Sequence, residues 1–257
     1  MRGISFLFLV SLMICSFCSN TLGQQLAPDW WDREITLGRL RLPDDRNCRG
    51  DYIINALISS GIPLHVEHRA IVKGEDIVLG INPAFSETDK VWIEARRDKQ
   101  WNPIASSIQV LSASEVVTYY LREAGDYKIC FINGGVVILP GDRESLAEKI
   151  HCDSFEMNGI TLRDVSERYM STFQPYHNLG FVFARTGPAT GYPDQIEFDL
   201  SFPGGSLKGL LCMISDQMNM VDDSHIYCWE IGGLEDQRGI GFKKISRERF
   251  ERLFVSK

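Results

Sequence analysis

SIQVLSASEVVTYYLREAGDYKICFINGGVVILP, residues 107–140, is the stretch on which the reading of the fold turns. Residues 107–111 read as a strand. Ser112 or Ser114 is placed to cap a helix that runs to about Glu123, with Glu115 favourable in its first turn. Val116, Val117, Tyr120 and Leu121 give that helix one apolar face, and Gly125 ends it. Residues 126–132 form a second strand, Asn133-Gly134 a hairpin turn, and residues 135–140 the returning strand that Pro140 closes. The unit is β-α-β-β.

Working outward, the opening of this pattern recurs. Residues 153–158 read as a strand, with Asn158-Gly159 as a turn. Thr161 caps a helix from 162 to about 173, and Asp164 stands where a capping box has its acid. Leu162, Val165, Tyr169 and Phe173 line one side of it, and a strand follows over 180–184. Another copy starts at residues 196–202, where Ile196, Phe198, Leu200 and Phe202 alternate onto one face. Ser206 caps its helix, with Leu207, Leu210, Leu211, Ile214 and Met218 as the stripe, and residues 225–231 make the next strand. Upstream, residues 51–60 carry Ile54, Leu57 and Ile58 at helical spacing, stopped by Gly61-Ile62-Pro63. Strands are expected at 64–72 and 76–81. The repeat is one of architecture, about 40–45 residues long, since the residues hardly match between copies.

The expected class is α+β: strand-helix-strand half-modules forming small mixed sheets with helices packed on one face. Residues 1–23 are read as a signal peptide and 24–46 as an extended segment containing Trp30-Trp31. A first α/β module covers 47–141 (helix 51–60, β-α-β-β 107–140) and a second covers 150–233. Residues 234–257 are expected to be a charged tail or short helix anchored by Phe250, Leu253 and Phe254.

The N-terminus opens with Arg2, continues through the apolar run of residues 4–17 and ends in polar SNTLGQQ. This is the layout of a cleavable secretory signal, with Thr21 and Gly23 small enough for the cleavage site. The run is shorter than the roughly 20 residues of a bilayer span. Cys15 follows Ile14 and Cys18 follows Phe17, neither a small residue, which argues against lipidation. No transmembrane segment is expected after cleavage, and the location expected is the periplasm or the extracellular space. The net charge of −7 argues against nucleic acid as a partner.

Seven cysteines occur, and five lie beyond the signal: Cys48, Cys130, Cys152, Cys212 and Cys228. An odd count leaves at least one unpaired within the chain. Cys212 on a helix and Cys228 on the next strand are the candidate disulfide; buried free thiols are the alternative.

Three segments carry a likeness: FEMNGITLRDVSERY at 155–169, IEFDLSFPGGSLKGLLCMISDQM at 196–218 and YKICFINGGVVILPG at 127–141. They resemble the small α/β modules at the N-termini of secretins and TonB-type receptors, and related exported bacterial proteins. The resemblance spans roughly residues 47–233. It implies periplasmic docking or assembly modules with helices on small sheets, and it carries no catalytic residues.

Catalytic motifs are sparse. Gly204-Gly205-Ser206 precedes a helix, but Lys208-Gly209 does not complete a phosphate loop. There is no G-x-S-x-G elbow and no C-x-x-C beyond the signal. His65-Val66-Glu67-His68 on a strand sends His65 and Glu67 to one side and His68 to the other, a poor local metal geometry. His151-Cys152-Asp153 and Asp216 with Asp222-Asp223 are weaker cation-capable groups. No metal or cofactor is expected. The first functional expectation is a non-enzymatic protein-binding or scaffold module of the cell envelope, whose partner is another exported protein. It would dock through a strand edge or apolar patch, without a polar cleft. The alternatives are a hydrolase, in which His151, His177 or His225 meets a cysteine and a carboxylate, and an inert structural envelope protein.

Overall fold

The computed structural model describes residues 26–36, 50–70, 110–173, 175–176, 179–182, 195–235 and 237–254. The signal segment, Cys48, the expected strand at 76–81 and His177 lie outside the described residues.

The hairpin quoted above folds as read. Ser112 caps helix α2 (Ala113–Ala124) in a full capping box: its backbone N–H donates to Glu115 Oε2 at 2.8 Å, and Glu115 N–H donates to Ser112 Oγ at 3.2 Å. Strand β4 (Tyr127–Ile132) turns through Asn133-Gly134, both at positive φ, into β5 (Gly135–Pro140). Asn133-Gly134 suits this turn because Asn tolerates and Gly favours positive φ.

Around this unit the remaining elements follow in order. Strand β1 (Glu34–Thr36) pairs with β3 (Val110–Ser112), and helix α1 (Gly50–Ser60) leads into β2 (Leu64–Glu67). After β5 come the short α3 (Leu146–Lys149) and β6 (His151–Cys152), then β7 (Phe155–Ile160), α4 (Leu162–Phe173) and β8 (Gly180–Phe181). Strands β9 (Phe198–Phe202) and β10 (Gly205–Ser206), helix α5 (Leu207–Val221), strands β11 (His225–Leu234) and β12 (Gln237–Ser246), and α6 (Arg247–Glu251) complete the chain.

The class is α+β with mixed sheets, as expected. The largest sheet has the order β4-β5-β2-β11-β12-β8; β5, β2 and β11 run parallel, while β4 and β12 are antiparallel to their hairpin partners. Helices lie on both of its faces rather than on one. The reason is the pleat of β5. Val136 and Ile138 join Leu64 and Val66 under α1 and α2, whereas Val137 and Leu139 join Trp229 and Ile231 under α5 and α4. A strand buried on both sides must be apolar at every position, and GVVILP is.

Two further differences concern boundaries. The stretches expected as separate modules share this sheet through the β2–β11 ladder, which pairs Val66 with Glu230. The expected charged tail begins instead with β12, paired with β11 from His225↔Ser246 to Leu234↔Gln237. Its end behaves as read: Leu253 and Phe254 are buried. Asn158-Gly159 does not end its strand. It forms an irregularity inside β7, whose pairing with β9 shifts between Met157 and Ile160; Gly159 takes φ +60° and donates its N–H to Asp199 Oδ1 at 2.8 Å. At the start of α4 the Asp164 half of the expected capping box forms: the Thr161 backbone N–H and hydroxyl each donate to Asp164 Oδ2 at 2.8 Å. Trp31 is buried edge-on against Phe131, and Trp30 meets Phe250 edge-on, so the tryptophan pair packs onto the body. Among the described residues, no helix is long and apolar enough to cross a membrane.

Candidate functional site

The β2 segment LHVE carries the chemistry-bearing residues of the sheet's centre. Leu64 and Val66 face the α1/α2 layer, so His65 and Glu67 face α5, as the alternation requires. His65 stacks on Trp229, with ring centroids 5.6 Å apart and planes at 22°. Its Nδ1 accepts the Trp229 backbone N–H at 3.2 Å, so the neutral ring carries its proton on Nε2. Burial pushes the His65 pKa down from 6.5 to about 4. The backbone of β5 presses against this ring: a side chain at Gly135 would place its Cβ 2.9 Å from His65 Nε2.

Glu67 does structural work. Its carboxylate accepts the Ser145 hydroxyl at 2.6 Å and the N–H groups of Leu146 and Ala147 at 3.0 Å each. It thereby ties the first turn of α3 to the sheet. Around it, Arg238 donates to the His68 carbonyl at 2.6 Å, and Lys243 pairs with Glu230 at 3.1 Å. His68 is buried, and its Nε2 lies 3.8 Å from Glu230 Oε2, too far for a hydrogen bond. This cluster gathers at the C-terminal end of β2, where Arg238 lies 3.9 Å from Glu67 and where both ring nitrogens of His68 and the Nε of Arg238 are buried without a hydrogen-bond partner.

The opposite end of the same strands holds a cleft of about 260 Å³. The starts of β2, β5 and β11 form its floor, through Pro63, His65, Gly135 and Ile226. Helix α5 contributes Asp216 and Asn219, the hairpin turn contributes Asn133, and Arg247, Phe250 and Trp30 complete the wall. Burial pushes the Asp216 pKa up from 3.8 to about 6, against a weak opposing hydrogen bond that Asn133 Nδ2 donates to Oδ2 at 3.5 Å. Arg247 donates through Nη2 to the Asn219 carbonyl at 3.0 Å, and its Nε is buried without a partner. The expectation that no polar cleft exists is therefore corrected. Three strand starts, the β4–β5 turn, α5, α6 and Trp30 converge here, an assembly that no local motif announces.

The other candidates fall apart in space. Cys212 and Cys228 are both free, not bridged. Cys212 packs in the α5 layer and receives the Trp229 Nε1–H at 3.3 Å, whereas Cys228, one pleat away, belongs to the α1/α2 layer across the sheet. Burial pushes the thiols of Cys152 and Cys212 up to about 12 and that of Cys228 further. A thiol so held is a poor nucleophile. His225 meets a carboxylate, with Nδ1 3.0 Å from Asp222 Oδ2, and among the described residues no cysteine joins that pair. Asp222 is committed locally, accepting the Tyr227 hydroxyl at 2.6 Å and the Ser224 N–H at 2.9 Å. His151 is exposed. Among the described residues, no three His, Cys, Asp or Glu side chains gather as metal ligands would.

Comparison of the chain with protein-family models, with curated proteins and with solved structures finds no match in any of the three.

Proposed function

We propose that the chain is an exported binding protein that performs no covalent chemistry, and that it binds in the cleft at the starts of β2, β5 and β11. The observation that carries this reading is the cleft's make-up. Its polar groups converge on one space, yet His65 and Cys228, which also borders the cleft, do not form a catalytic pair. His65 Nδ1 is occupied by the Trp229 N–H, and the Cys228 thiol is kept protonated by burial. A nucleophile and base acting together need a hydrogen bond between them. A binding site needs only shape and a few placed polar groups. The likeness of the half-modules to export-side docking units agrees with this role.

The space is small. It suits one small molecule or one protruding side chain of a partner, rather than a whole peptide segment. A partner protein, another exported or envelope component, would present a single anchor there.

Native mass spectrometry tests the proposal. The purified chain is incubated with a host-cell extract, desalted, and measured folded and then denatured. The expected result is a retained ligand, released with the mass it has in the extract and absent from Asp216→Asn. Release of a covalently altered ligand, formed on incubation and dependent on Cys228 or His65, would refute a purely binding role.

A further inference from the structure

Two charges of opposite sign line the cleft, and neither has an ionic partner among the described residues. Asp216, on α5, has one hydrogen bond, the 3.5 Å contact from Asn133 at the outer limit of such bonds. Arg247, at the start of α6, reaches only a backbone carbonyl, that of Asn219. The two do not pair with each other. A partly buried charge without a counter-charge is costly, so the pair is unusual for a surface that serves only packing.

The rest of the lining narrows the chemistry. Trp30 and Phe250 pack edge-on, with centroids 6.0 Å apart, and supply an apolar wall. His65 is neutral and engaged with Trp229. The free space of about 260 Å³ holds the equivalent of about nine waters. The cleft thus offers one anionic point, one cationic point and one aromatic wall.

We propose that the cleft binds a small zwitterion of the amino-acid class, its ammonium group on Asp216, its carboxylate on Arg247 and its side chain against Trp30 and Phe250. The inference rests on the cleft being the binding site and names the ligand that site takes. Arginine is suited to the carboxylate end, since its planar fork offers parallel donors to two oxygens. Asn133, which donates to Asp216, stands beside the ammonium end, while Asn219 is committed to holding Arg247 through its carbonyl and Tyr227 through its Oδ1. A ligand carrying only one charge would leave the other protein charge unanswered, and that penalty is the source of selectivity.

The test uses the full chain and isothermal titration calorimetry. The probes are L-leucine, L-phenylalanine and L-glutamine, with two matched single-charge compounds: 3-methylbutylamine, which is leucine without its carboxylate, and 4-methylpentanoate, which is leucine without its ammonium. At least one of the amino acids is expected to bind, with leucine at least tenfold tighter than either of its single-charge analogues. Asp216→Asn is expected to reduce leucine to the level of 4-methylpentanoate. Arg247→Gln is expected to reduce it to the level of 3-methylbutylamine, while Arg247→Lys, which keeps the charge, retains most of the preference. A single cooperative thermal melt for each variant confirms that it is folded. Absence of binding by all three amino acids overturns the proposal, as does a single-charge analogue that binds within twofold of leucine. If 3-methylbutylamine alone binds and Asp216→Asn abolishes it, the zwitterion is wrong but the cleft stands as a binding site. If an amino acid binds with equal strength to the wild type and both charge variants, the cleft itself is wrong.

Discussion

Lowering the pH from 7 to 4.5 should destabilise the protein through His65, and the size of the loss follows from its surroundings. In the folded chain this ring is buried against Trp229 and titrates near 4; in the unfolded chain it titrates near 6.5. Between those values the unfolded state binds a proton that the folded state refuses, so stability rises with pH. The His65 contribution is fully present above about 6.5 and disappears as the pH falls toward 4. At pH 4.5 the two pKa values correspond to a loss on the order of 2–3 kcal/mol relative to pH 7. Asp216, near the same cleft, works the other way. Its raised pKa means that the folded state takes up a proton first, which favours folding as the pH falls through about 6. The Cys228 thiol, pushed up by burial, stays protonated. A wild-type profile alone would therefore mix opposing slopes. Urea denaturation of the wild type and of His65→Asn, at pH 7 and at pH 4.5, separates them, because Asp216 is common to both. The wild type should lose on the order of 2–3 kcal/mol more than the variant over this range. Equal losses, to within about 0.5 kcal/mol, would refute the burial and neutrality of His65.

Other consequences can be checked independently. Glu67→Ala leaves the Ser145 hydroxyl and two backbone N–H groups without their acceptor and should cost about 4 kcal/mol in urea denaturation, more than Glu67→Gln, which keeps one acceptor oxygen. Asp216→Asn removes a partly buried charge, so it should stabilise the protein at pH 7 by about 1 kcal/mol after allowing for solvent screening, an advantage that fades as the pH drops below about 6. Iodoacetamide at pH 8, followed by peptide mass mapping, should spare Cys152 and Cys212 in the native protein, because thiols titrating near 12 are about one part in ten thousand thiolate there. Cys130, half-exposed on β4, is the expected site of reaction among the described cysteines. Gly134→Ala, at φ +75° in the β4–β5 turn, should lower the melting temperature, with a cost of about 1 kcal/mol.

Local chemistry was what the sequence made legible. Ser112 and Ser206 sit at helix starts because a hydroxyl before an apolar stripe satisfies the first free N–H groups, and this signal spans only a few residues. Asn133-Gly134 was readable for the same reason. Asn158-Gly159 looks identical in sequence and behaves differently, because β9 lies alongside β7 and holds the strand through the irregularity. Strand β12 escaped notice because Gly239 and Gly241 interrupt its apolar pattern. The structure explains one of them: a Cβ at Gly239 would collide with Val182, just beyond β8. The disulfide expectation failed on a pleat, since Cys228 and Trp229 point to opposite faces and it is Trp229 that meets Cys212. The cleft was invisible for a more general reason. Trp30, Asn133, Asp216 and Arg247 have no spacing in common, and only the completed sheet brings them together.

The placement of β2 has a temporal consequence. This strand leaves the first quarter of the chain and lies between β5 and β11, so its far edge is closed by residues near position 230. Until those residues are available, the β4-β5-β2 portion presents an unsealed row of backbone groups beside Val66. Pairings so distant along the chain are slow to form. The chain is thus built to stay incompletely folded until nearly all of it has been delivered, and a truncation before β11 would leave behind a sticky half-sheet rather than a smaller protein.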